Sequence, residues 1–574
     1  MSDIKSLYKL WLKKTKDYPE LYEELLSIEN EDGEIADRFY RALEFGTAGL
    51  RGLLGAGTNR MNVFTVNQVT QGLSDFLNSR YENAEVAVAY DSRINSELFA
   101  RETASVLAAN GITAHIFPAL VPTPMLSFAV RRLGCASGVV ITASHNPSRY
   151  NGYKCYDPEG YQMTDEAAAE TYGFIQKTDI FGDVKKIDFD EGLALGKIKY
   201  IPSELNEEFY QAVLSAQINP GVSRDCGLKV IYTPLNGAGN IPVREVLGRI
   251  GLENVSVVPT QEMPDGNFPT CPYPNPEIRQ AFEEALKLAD VQGADLLLAT
   301  DPDCDRVGIA VKSGDDYRLF SGNEMGALLS QYVLSCRSAQ GTLPEKPVIV
   351  KTIVTTDLVT RIARDYSCEV VDLLTGFKYI GEHISLLAKE GREDSFILGM
   401  EESYGYLAGT HVRDKDAVVA SMLICEMAAY YKKLGKSLVD VIDDIYDNYG
   451  FYLNTVLNFA FEGESGMIKM RSIMDKLRAA PPAKIAGLTV SAVSDYAKGE
   501  TVNTATGSIT AINLPESNVL AYKLPENCGV IVRPSGTEPK IKVYITARGK
   551  DKESAKELAK NIGDDMKKIL GIEG

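Results

Sequence analysis

Three aspartates at alternate positions follow an apolar segment of the chain. Asp301, Asp303 and Asp305 come directly after ADLLLAT, whose composition is typical of a buried strand. Alternate side chains of an extended segment point the same way, so the three carboxylates should converge. Such a cluster is costly without a cation, and its hard oxygen ligands suit Mg²⁺. An EF-hand is excluded because Arg306 and Lys312 occupy positions where its loop needs Gly and Glu.

A serine lies at the end of a second apolar segment. Ser144 belongs to TASHNP and follows GVVIT, and Pro147 stops the turn. A serine held at the carboxyl end of a strand could act as a nucleophile or carry a phosphoryl group. The Gly-x-Ser-x-Gly pattern of an α/β-hydrolase nucleophile is absent here. Taken alone, this segment favours a simpler role, in which Ser144 caps the next helix.

A glutamate and a serine at alternate positions end a third apolar segment. Glu401 and Ser403 lie in GMEESYG, where a carboxylate and a hydroxyl could bind neighbouring hydroxyls of a sugar. Taken alone, a glutamate pair before a turn is more often simply solvated. His411, Arg413 and Lys415 follow in THVRDKDA, a cluster that by itself is typical of a helix start.

A fourth loop has the composition of a phosphate site. The segment RPSGTEPK lies between two apolar strands and offers a guanidinium, two hydroxyls and backbone amides freed by a glycine. This combination favours phosphate binding over a simple hairpin. The residues concerned are Arg533, Ser535, Gly536 and Thr537. No Walker motif occurs, and the Gly-Ala-Gly turn at 237–239 lacks the third glycine of a dinucleotide fingerprint. ATP and NAD are therefore disfavoured, and we interpret that turn as strand-to-helix packing.

The elements that must position these loops alternate between apolar strands and helical segments. Runs such as EVAVAYD and KPVIVKTIV are separated by helical patterns of about 10–15 residues, which predicts βαβ units and largely parallel sheets. Ligands of such sheets bind at the carboxyl ends of the strands. Breaks in the pattern predict four domains, at 1–205, 206–320, 321–450 and 451–574.

Charge and composition exclude several classes of protein. The chain has 574 residues and a formal charge of −18, from 60 Lys and Arg against 78 Asp and Glu. This balance argues against nucleic acid or an anionic membrane as a partner. No apolar run reaches the roughly 18 residues of a membrane helix, and the start lacks the apolar core of a signal peptide. Nine cysteines without a CxxC pair predict reduced thiols in a cytoplasmic protein.

The four loops, taken in order, resemble the motifs of the α-D-phosphohexomutase superfamily. They are TASHNP, DPDCDR, EESYG and RPSGTEPK, and FGTAGLRG (45–52) and LTGFKYIG (374–381) add to the resemblance. The chain length and the EES form are most similar to the phosphoglucomutase branch, including long forms that also act on pentose phosphates. Ala48 and Ala417 depart from the residues common in the family. The resemblance implies three related mixed α/β domains and a smaller α+β carboxy-terminal domain around a central cleft.

The resemblance also implies roles for individual residues. Ser144 matches the family's phosphoserine, and Asp301, Asp303 and Asp305 match its Mg²⁺ ligands, completed by a phosphoserine oxygen. Lys415 is our candidate for the general acid/base. The residues that match the contacts of the reacting phosphate are Arg51, His145, Lys154 and Arg306. Those that match contacts of the sugar or of its second phosphate are Gly376, Lys378, Glu401, Ser403, Arg533, Ser535, Gly536 and Thr537.

The implied activity is that of an intramolecular phosphotransferase of the isomerase class. It would interconvert glucose 1-phosphate and glucose 6-phosphate through a phosphoserine and glucose 1,6-bisphosphate, which would also act as activator. Phosphopentomutase and phosphomannomutase activities with the same mechanism stay open. Two alternatives belong to other classes: a phosphatase of the haloacid-dehalogenase type with Asp301 as nucleophile, and a non-catalytic sugar-phosphate binder. We expect small sugar phosphates as ligands, a monomer or homodimer, and a cytoplasmic location.

Overall fold

The structure of the chain is a computed structural model that describes residues 2–46, 49–461, 463–534 and 540–572. The chain divides into two units, each built from two stretches of sequence. The first unit comprises 1–322 and 377–437, and the second comprises 323–376 and 438–574. Because the predicted domain 321–450 contributes to both units, this division does not test the predicted domain boundaries, which stay a prediction.

The first part of the chain forms a six-stranded mixed sheet flanked by helices. Its elements are α1 (Ser2–Lys14), α2 (Pro19–Ser27), α3 (Asp32–Phe39), β1 (Gly49–Leu53), α4 (Val63–Asn78), β2 (Glu85–Tyr90), α5 (Ser96–Ala109), β3 (Thr113–Ile116), α6 (Thr123–Leu133), β4 (Ser137–Ile141), β5 (Tyr150–Tyr156), α7 (Asp165–Ile175), α8 (Phe189–Ala194) and β6 (Ile198–Tyr200). The strand order is β1-β5-β4-β2-β3-β6. Strands β4, β2, β3 and β6 run parallel, and β5 runs antiparallel to β4 and β1. Helices on the faces explain why the central strands are apolar throughout.

A second mixed sheet follows and has five strands. Its region contains α9 (Glu204–Leu214), β7 (Lys229–Thr233), α10 (Asn240–Arg249), β8 (Asn254–Val257), α11 (Pro259–Glu262), α12 (Glu283–Gln292), β9 (Leu296–Thr300), β10 (Val307–Ser313) and β11 (Asp316–Leu319). The strand order is β11-β10-β9-β7-β8. Strands β9, β7 and β8 are parallel, whereas β10 and β11 form an antiparallel edge. The parallel part of each sheet confirms the βαβ prediction.

The third region is shared between the two units. Its elements are α13 (Gly322–Gln340), β12 (Val348–Thr352), α14 (Leu358–Asp365), β13 (Glu369–Leu373), α15 (Phe377–Lys389), β14 (Phe396–Glu401), β15 (Gly405–Ala408), α16 (Ala417–Lys433) and α17 (Leu438–Tyr449). Strands β12 and β13 pair in parallel within the second unit. Strands β14 and β15 form an antiparallel hairpin within the first unit. This hairpin carries the EES segment.

The carboxy-terminal region is a seven-stranded antiparallel sheet packed against helices. Its elements are β16 (Phe451–Ala460), α18 (Gly463–Ala479), β17 (Lys484–Ile485), β18 (Leu488–Thr489), β19 (Ala492–Asp495), β20 (Glu500–Asn503), β21 (Ile509–Ala511), β22 (Leu520–Lys523), β23 (Gly529–Pro534), β24 (Lys540–Gly549) and α19 (Lys552–Leu570). The order is β16-β24-β23-β22-β19-β20-β21. Apolar residues of α18 and α19 share one core with the sheet, among them Met474 and Ile562. The prediction of a final α+β domain is confirmed.

Two further expectations can be compared with the described residues. All nine cysteines are free thiols, as their spacing predicts. Among the helices of the described ranges, none combines the length and apolar character needed to cross a membrane.

Candidate active site

Two loops that are distant in sequence meet at the carboxyl ends of parallel strands. Ser144 lies in the loop after β4, and Asp301 lies in the loop after β9. The Ser144 hydroxyl donates a hydrogen bond to Asp301 Oδ2 at 2.8 Å, although the residues are 157 positions apart. Both side chains are buried. This edge is where open α/β sheets bind their ligands.

The backbone holds Ser144 in an unusual conformation. Its φ of 51° lies in the left-handed region, which costs a non-glycine residue roughly 1–2 kcal/mol. The Ser144 amide donates to Thr142 Oγ1 at 2.8 Å, and the Thr142 hydroxyl donates to Asp91 Oδ2 at 2.6 Å. The loop then leads into β5, so the expectation that Ser144 caps a following helix is wrong.

The three aspartates converge, although not in the way an extended segment predicts. One carboxylate oxygen from each of Asp301, Asp303 and Asp305 lies within 4.8 Å of the others. The segment is a turn in which Cys304 has a φ of 51°, so alternation along a strand is not the cause. At Gly237 a Cβ would lie 2.4 Å from the Cα of Pro302 in this turn, which supports the packing role of the 237–239 segment.

Basic side chains surround the three carboxylates. Lys154 Nζ lies 3.0 Å from Asp303 Oδ2, and Lys415 Nζ lies 3.2 Å from Asp305 Oδ2. The Arg306 backbone amide donates to Asp301 Oδ1 at 3.0 Å, and its guanidinium Nε lies 3.7 Å from Asp305 Oδ1. Three cationic side chains therefore face three buried carboxyl groups.

Two carboxylate oxygens are left without a hydrogen bond. Asp303 Oδ1 and Asp305 Oδ1 are buried and have no hydrogen-bond partner among the described residues. Buried polar atoms are normally satisfied, so these two oxygens are suited to bind a ligand. Converging carboxylate oxygens are the ligands that Mg²⁺ prefers, and the donor set therefore fits a hard divalent cation.

The local electric field separates the pKa values of these groups. Burial raises the pKa of Asp301 well above its usual value, and the Asp303 and Asp305 charges add to this. Burial opposes ionisation of Asp303 as well, but Lys154, Asp301 and Lys415 together outweigh it and lower the Asp303 pKa. Burial alone would lower the pKa of Lys415, yet Asp305 and the adjacent carboxylate hold it above its usual range. Lys415 is therefore a firmly cationic side chain.

Two predicted phosphate contacts lie beside the serine loop. Arg51, on β1, has its Nη1 3.4 Å from Asn146 Oδ1. The His145 Nδ1 lies 3.3 Å from Ser144 Oγ. Burial lowers the pKa of His145 well below its usual value, and Arg306 and Arg51 lower it further, so the imidazole is neutral.

The predicted sugar contacts occupy several places. Glu401 ends β14, is 8% exposed, and its charge acts on both Arg306 and Lys415. Ser403 is half-buried in the turn that follows. Lys378 Nζ forms an ion pair with Asp165 at 2.6 Å.

The remaining predicted residues belong to the second unit. Gly376 has a φ of 123°, a conformation that favours glycine. Arg533 lies near the end of β23. Ser535, Gly536 and Thr537 lie outside the described residues.

The chain matches the models of one known protein family along most of its length, domain by domain in sequence order. Phosphoglucomutase/phosphomannomutase models match four segments: α/β/α domain I at 42–180, domain II at 207–314, domain III at 321–449 and the C-terminal domain at 476–564. A phosphoglucomutase from Staphylococcus saprophyticus is 38% identical over 538 residues, which cover 94% of this chain and 96% of that protein. One from Staphylococcus aureus is 36% identical over 543 residues, covering 94% and 95%. The chain belongs to the phosphoglucomutase/phosphomannomutase family.

Solved structures of this family share the fold. Paramecium parafusin, a phosphoglucomutase in its open form, superposes with a TM-score of 0.68 at 15% identity, covering 93% of this chain and 96% of that chain. A family protein from Burkholderia thailandensis gives a TM-score of 0.65 at 18% identity, covering 92% and 96%. The predicted class, three mixed α/β domains and a smaller carboxy-terminal domain, is confirmed.

Several supporting residues of the site are not evident from the motifs. Asp91 ends the run EVAVAYD, so its position at the carboxyl end of β2 was a usable signal. Tyr156 donates to Asp414 Oδ2 at 2.5 Å, and Asp414 Oδ1 accepts from Lys415 Nζ at 3.1 Å. Tyr156 and Asp414 are 258 positions apart, so no local pattern connects them. Glu277 pairs with Arg306 at 2.8 Å and gave no signal either.

Proposed function

We propose that the chain is a phosphoglucomutase that interconverts glucose 1-phosphate and glucose 6-phosphate. The phosphorylated Ser144 would transfer its phosphoryl group to the free hydroxyl of a bound sugar phosphate, giving glucose 1,6-bisphosphate. The phosphoryl group at the other end of that intermediate would then return to Ser144. The observation that carries this proposal is the 2.8 Å contact between Ser144 Oγ and a buried aspartate of the cation-suited cluster. The two relatives at 36% and 38% identity bear the same name.

The aspartate loop would hold Mg²⁺ in this reaction. Asp301, Asp303 and Asp305 would supply carboxylate oxygens, and phosphorylated Ser144 would supply one more. The bound ion would offset negative charge on the phosphoryl group during transfer. Before the ion binds, Lys154 and Lys415 compensate part of the aspartate charge, as their contacts of 3.0 and 3.2 Å indicate.

The residues around Ser144 would bind the reacting phosphate. Arg51, Lys154 and Arg306 offer positive charge beside the serine and aspartate loops. Neutral His145 can donate or accept a hydrogen bond without adding charge. Lys415, held cationic by a raised pKa, is suited to donate a hydrogen bond to the departing serine oxygen and to offset its negative charge, and the same raised pKa makes it a weak proton donor. Its role as the general acid/base is part of the proposal.

The far end of the substrate would be bound by the remaining motifs. Glu401 and Ser403 would bind sugar hydroxyls, with Gly376 and Lys378 near the sugar. The second phosphate would bind to Arg533 and to the Ser535-Gly536-Thr537 segment. Hydroxyls and backbone amides bind phosphate oxygens and not the sugar ring, so such a site can bind the phosphate at either end of the sugar.

Two alternatives are weaker. Phosphomannomutase activity stays open because the matching family models carry both names. A phosphatase would need Asp301 as a free nucleophile, yet Asp301 Oδ2 accepts from Ser144 and Oδ1 accepts from the backbone amides of Asp305 and Arg306. These contacts favour a carboxylate that holds the serine and a cation over one that attacks phosphorus.

The proposal can be tested by phosphorus NMR of glucose 1-phosphate with Mg²⁺ and a trace of glucose 1,6-bisphosphate. We expect conversion to the 6-phosphate without inorganic phosphate. Ser144→Ala should lose activity by about 10³-fold or more, because the covalent carrier is gone. Ser74→Ala is the matched control, since Ser74 is also buried but bonds only the Thr70 carbonyl inside α4.

Three results would contradict the proposed phosphoglucomutase activity or its mechanism. Full activity of Ser144→Ala would rule out the phosphoserine mechanism. Release of inorganic phosphate in place of isomerisation would favour the Asp301 phosphatase. A higher rate with mannose 1-phosphate than with glucose 1-phosphate would move the assignment to phosphomannomutase.

A further inference from the structure

One buried arginine contacts almost the whole serine loop. Arg93 follows β2, and its guanidinium is fully buried. Its two terminal nitrogens donate to four backbone carbonyls, three in the loop between β4 and β5 and one at the first residue of β5. These carbonyls belong to Ser144, Asn146, Pro147 and Tyr150. The bonds to Pro147 and Tyr150 are 3.1 Å long.

The arginine is itself held on two sides. Asp91 Oδ2 lies 3.4 Å from Arg93 Nε, and Asp91 Oδ1 accepts from the Arg93 backbone amide at 2.9 Å. The Phe268 ring covers the guanidinium with its centroid 5.1 Å away. Gly266 lets this segment approach, since a Cβ there would lie 2.5 Å from the Ile94 amide nitrogen. The guanidinium is therefore fixed between the first sheet and a loop that follows β8.

The contacts of Arg93 oppose the strain at Ser144. A left-handed serine tends to relax towards the ordinary region unless its flanking peptide groups are held. The Ser144 amide donates a hydrogen bond to Thr142 Oγ1, and Arg93 donates a hydrogen bond to the Ser144 carbonyl oxygen. Both backbone polar groups of Ser144 are thus satisfied in this conformation, which directs Oγ to Asp301 Oδ2.

We propose that Arg93 is a positioning residue that fixes the serine loop in the conformation required for phosphoryl transfer. This inference rests on the proposed function, because it assigns a task to the Ser144 loop. A lysine cannot replace the contact, since its single nitrogen cannot serve four carbonyls in the fixed planar geometry of a guanidinium. Arg93 contacts neither the predicted metal ligand oxygens nor the serine hydroxyl. Its hydrogen bonds to the loop go to backbone carbonyls, and its charge also acts on Asp301 and Asp303 from a distance.

The test compares Arg93→Lys with the wild type and with Arg60→Lys. Arg60 is also a buried arginine, but it bonds Asp37 and the Asn59 carbonyl, away from the serine loop. For Arg93→Lys we expect kcat to fall by about 10–100-fold, the scale of a misplaced reacting group, while KM for glucose 1-phosphate changes by less than about 3-fold. Arg60→Lys should keep both parameters.

Hydrogen exchange of the serine loop gives a readout that does not depend on activity. The amides of Ser144, Asn146 and Tyr150 are hydrogen-bonded within the loop. In Arg93→Lys these amides should exchange at least about 10-fold faster, while those of the β4 strand keep their protection. Phe268→Leu should also make these amides exchange faster and lower kcat, each by a few-fold, because the Arg93 guanidinium stays but the aromatic ring that covers it is lost. This second variant keeps the test informative if Arg93→Lys folds poorly.

The outcomes separate this inference from the proposed function. Unchanged exchange, or an unchanged kcat in an active enzyme, would overturn the role of Arg93. A higher KM with an unchanged kcat in Arg93→Lys would also overturn this role, because that result would indicate that Arg93 contributes to substrate binding. If the wild type showed no mutase activity, the proposed function would fall, and the exchange data would still decide whether Arg93 holds the loop.

Discussion

The serine loop and the aspartate loop are built alike but are held differently. Each follows a central parallel strand, and each contains a non-glycine residue at a φ of 51°, Ser144 in one and Cys304 in the other. The serine loop is fixed by Asp91 and Arg93 through hydrogen bonds to its backbone and to Thr142. The aspartate loop is surrounded by cationic side chains and keeps two carboxylate oxygens without hydrogen bonds.

This difference separates two tasks at one site. The serine loop is held by backbone hydrogen bonds to Arg93 and Thr142, so its conformation should not depend on a bound cation. The aspartate loop keeps two buried carboxylate oxygens without hydrogen bonds, and leaving a buried polar atom unsatisfied is costly. Its stability and its chemistry should therefore respond to Mg²⁺. Three variants test this comparison.

The largest effect is expected in the aspartate loop. Asp303→Asn removes one charge from the cluster and should reduce activity by about 10²–10³-fold, because several kcal/mol of charge stabilisation in the transition state are lost with the metal. The rise in Tm on adding Mg²⁺ should also disappear, since it reports binding to the folded state. Activity assays and thermal unfolding with EDTA or Mg²⁺ measure both effects.

A surface aspartate provides the control for this experiment. Asp295 pairs with Lys432 at 2.6 Å and is about two-fifths exposed, so Asp295→Asn should keep both activity and the Mg²⁺ response. If Asp303→Asn kept its full response to Mg²⁺, the aspartates would not be the cation site.

A smaller effect is expected in the serine loop. In the wild type the Thr142 hydroxyl, the Arg93 backbone amide and the Ser96 hydroxyl each donate a hydrogen bond to the Asp91 carboxylate. Asp91→Asn should weaken these three hydrogen bonds. Hydrogen bonds to buried charged groups contribute about 1.5–3 kcal/mol, so we expect a lower Tm and a kcat reduced by about 10-fold. The increase in Tm caused by Mg²⁺ should stay the same as in the wild type. A loss of that increase would show that the two loops are not independent.

The smallest effect on activity is expected at a carboxylate in acidic surroundings, which serves as a reference for the aspartate loop. Burial raises the pKa of Asp157 to about 7, against hydrogen bonds from the Glu159 amide and the Tyr161 hydroxyl, which lower it; the charges of Glu159 and Glu382 make a smaller raising contribution. An unfolded aspartate titrates near about 3.9, so between about pH 4 and 7 the folded state binds the proton more strongly. Stability should therefore fall as pH rises through this window, by at most about 4 kcal/mol.

The neutral variant tests this dependence directly. Asp157→Asn should flatten the free energy of unfolding over that pH range and leave mutase activity unchanged. Urea unfolding at several pH values, with the wild type alongside, gives the comparison. A wild-type pH slope in the variant would mean that another group causes the pH dependence and that the pKa of Asp157 is not raised by folding.

The sequence predicted the elements better than it predicted the contacts between them. Apolar runs such as EVAVAYD identified the strands, and strand ends identified the loops, because both signals are local. The convergence of the three aspartates was predicted, but the cause is a turn and not an extended segment. The structure needs the left-handed Cys304 to make that turn, and a cysteine gives no signal for it.

The helix-capping interpretation of Ser144 failed for a related reason. The decisive contact joins Ser144 to Asp301 across 157 positions, and only the packing of two sheets brings them together. Arg93 was missed because its task depends on the path of a loop about 50 residues further along the chain, as its 51-residue separation from Ser144 shows. The family motifs predict a functional role for Ser144 that the local pattern alone does not.

The central claim is that Ser144 carries the phosphoryl group beside the aspartate cluster. The most direct measurement incubates the protein with glucose 1,6-bisphosphate and Mg²⁺ and then locates the phosphoryl group by peptide mass spectrometry, with and without hydroxylamine. We predict one phosphoryl group on Ser144 that resists hydroxylamine, as a phosphate ester does. A hydroxylamine-sensitive phosphoryl group on Asp301 would contradict the account and identify an acyl-phosphate enzyme instead.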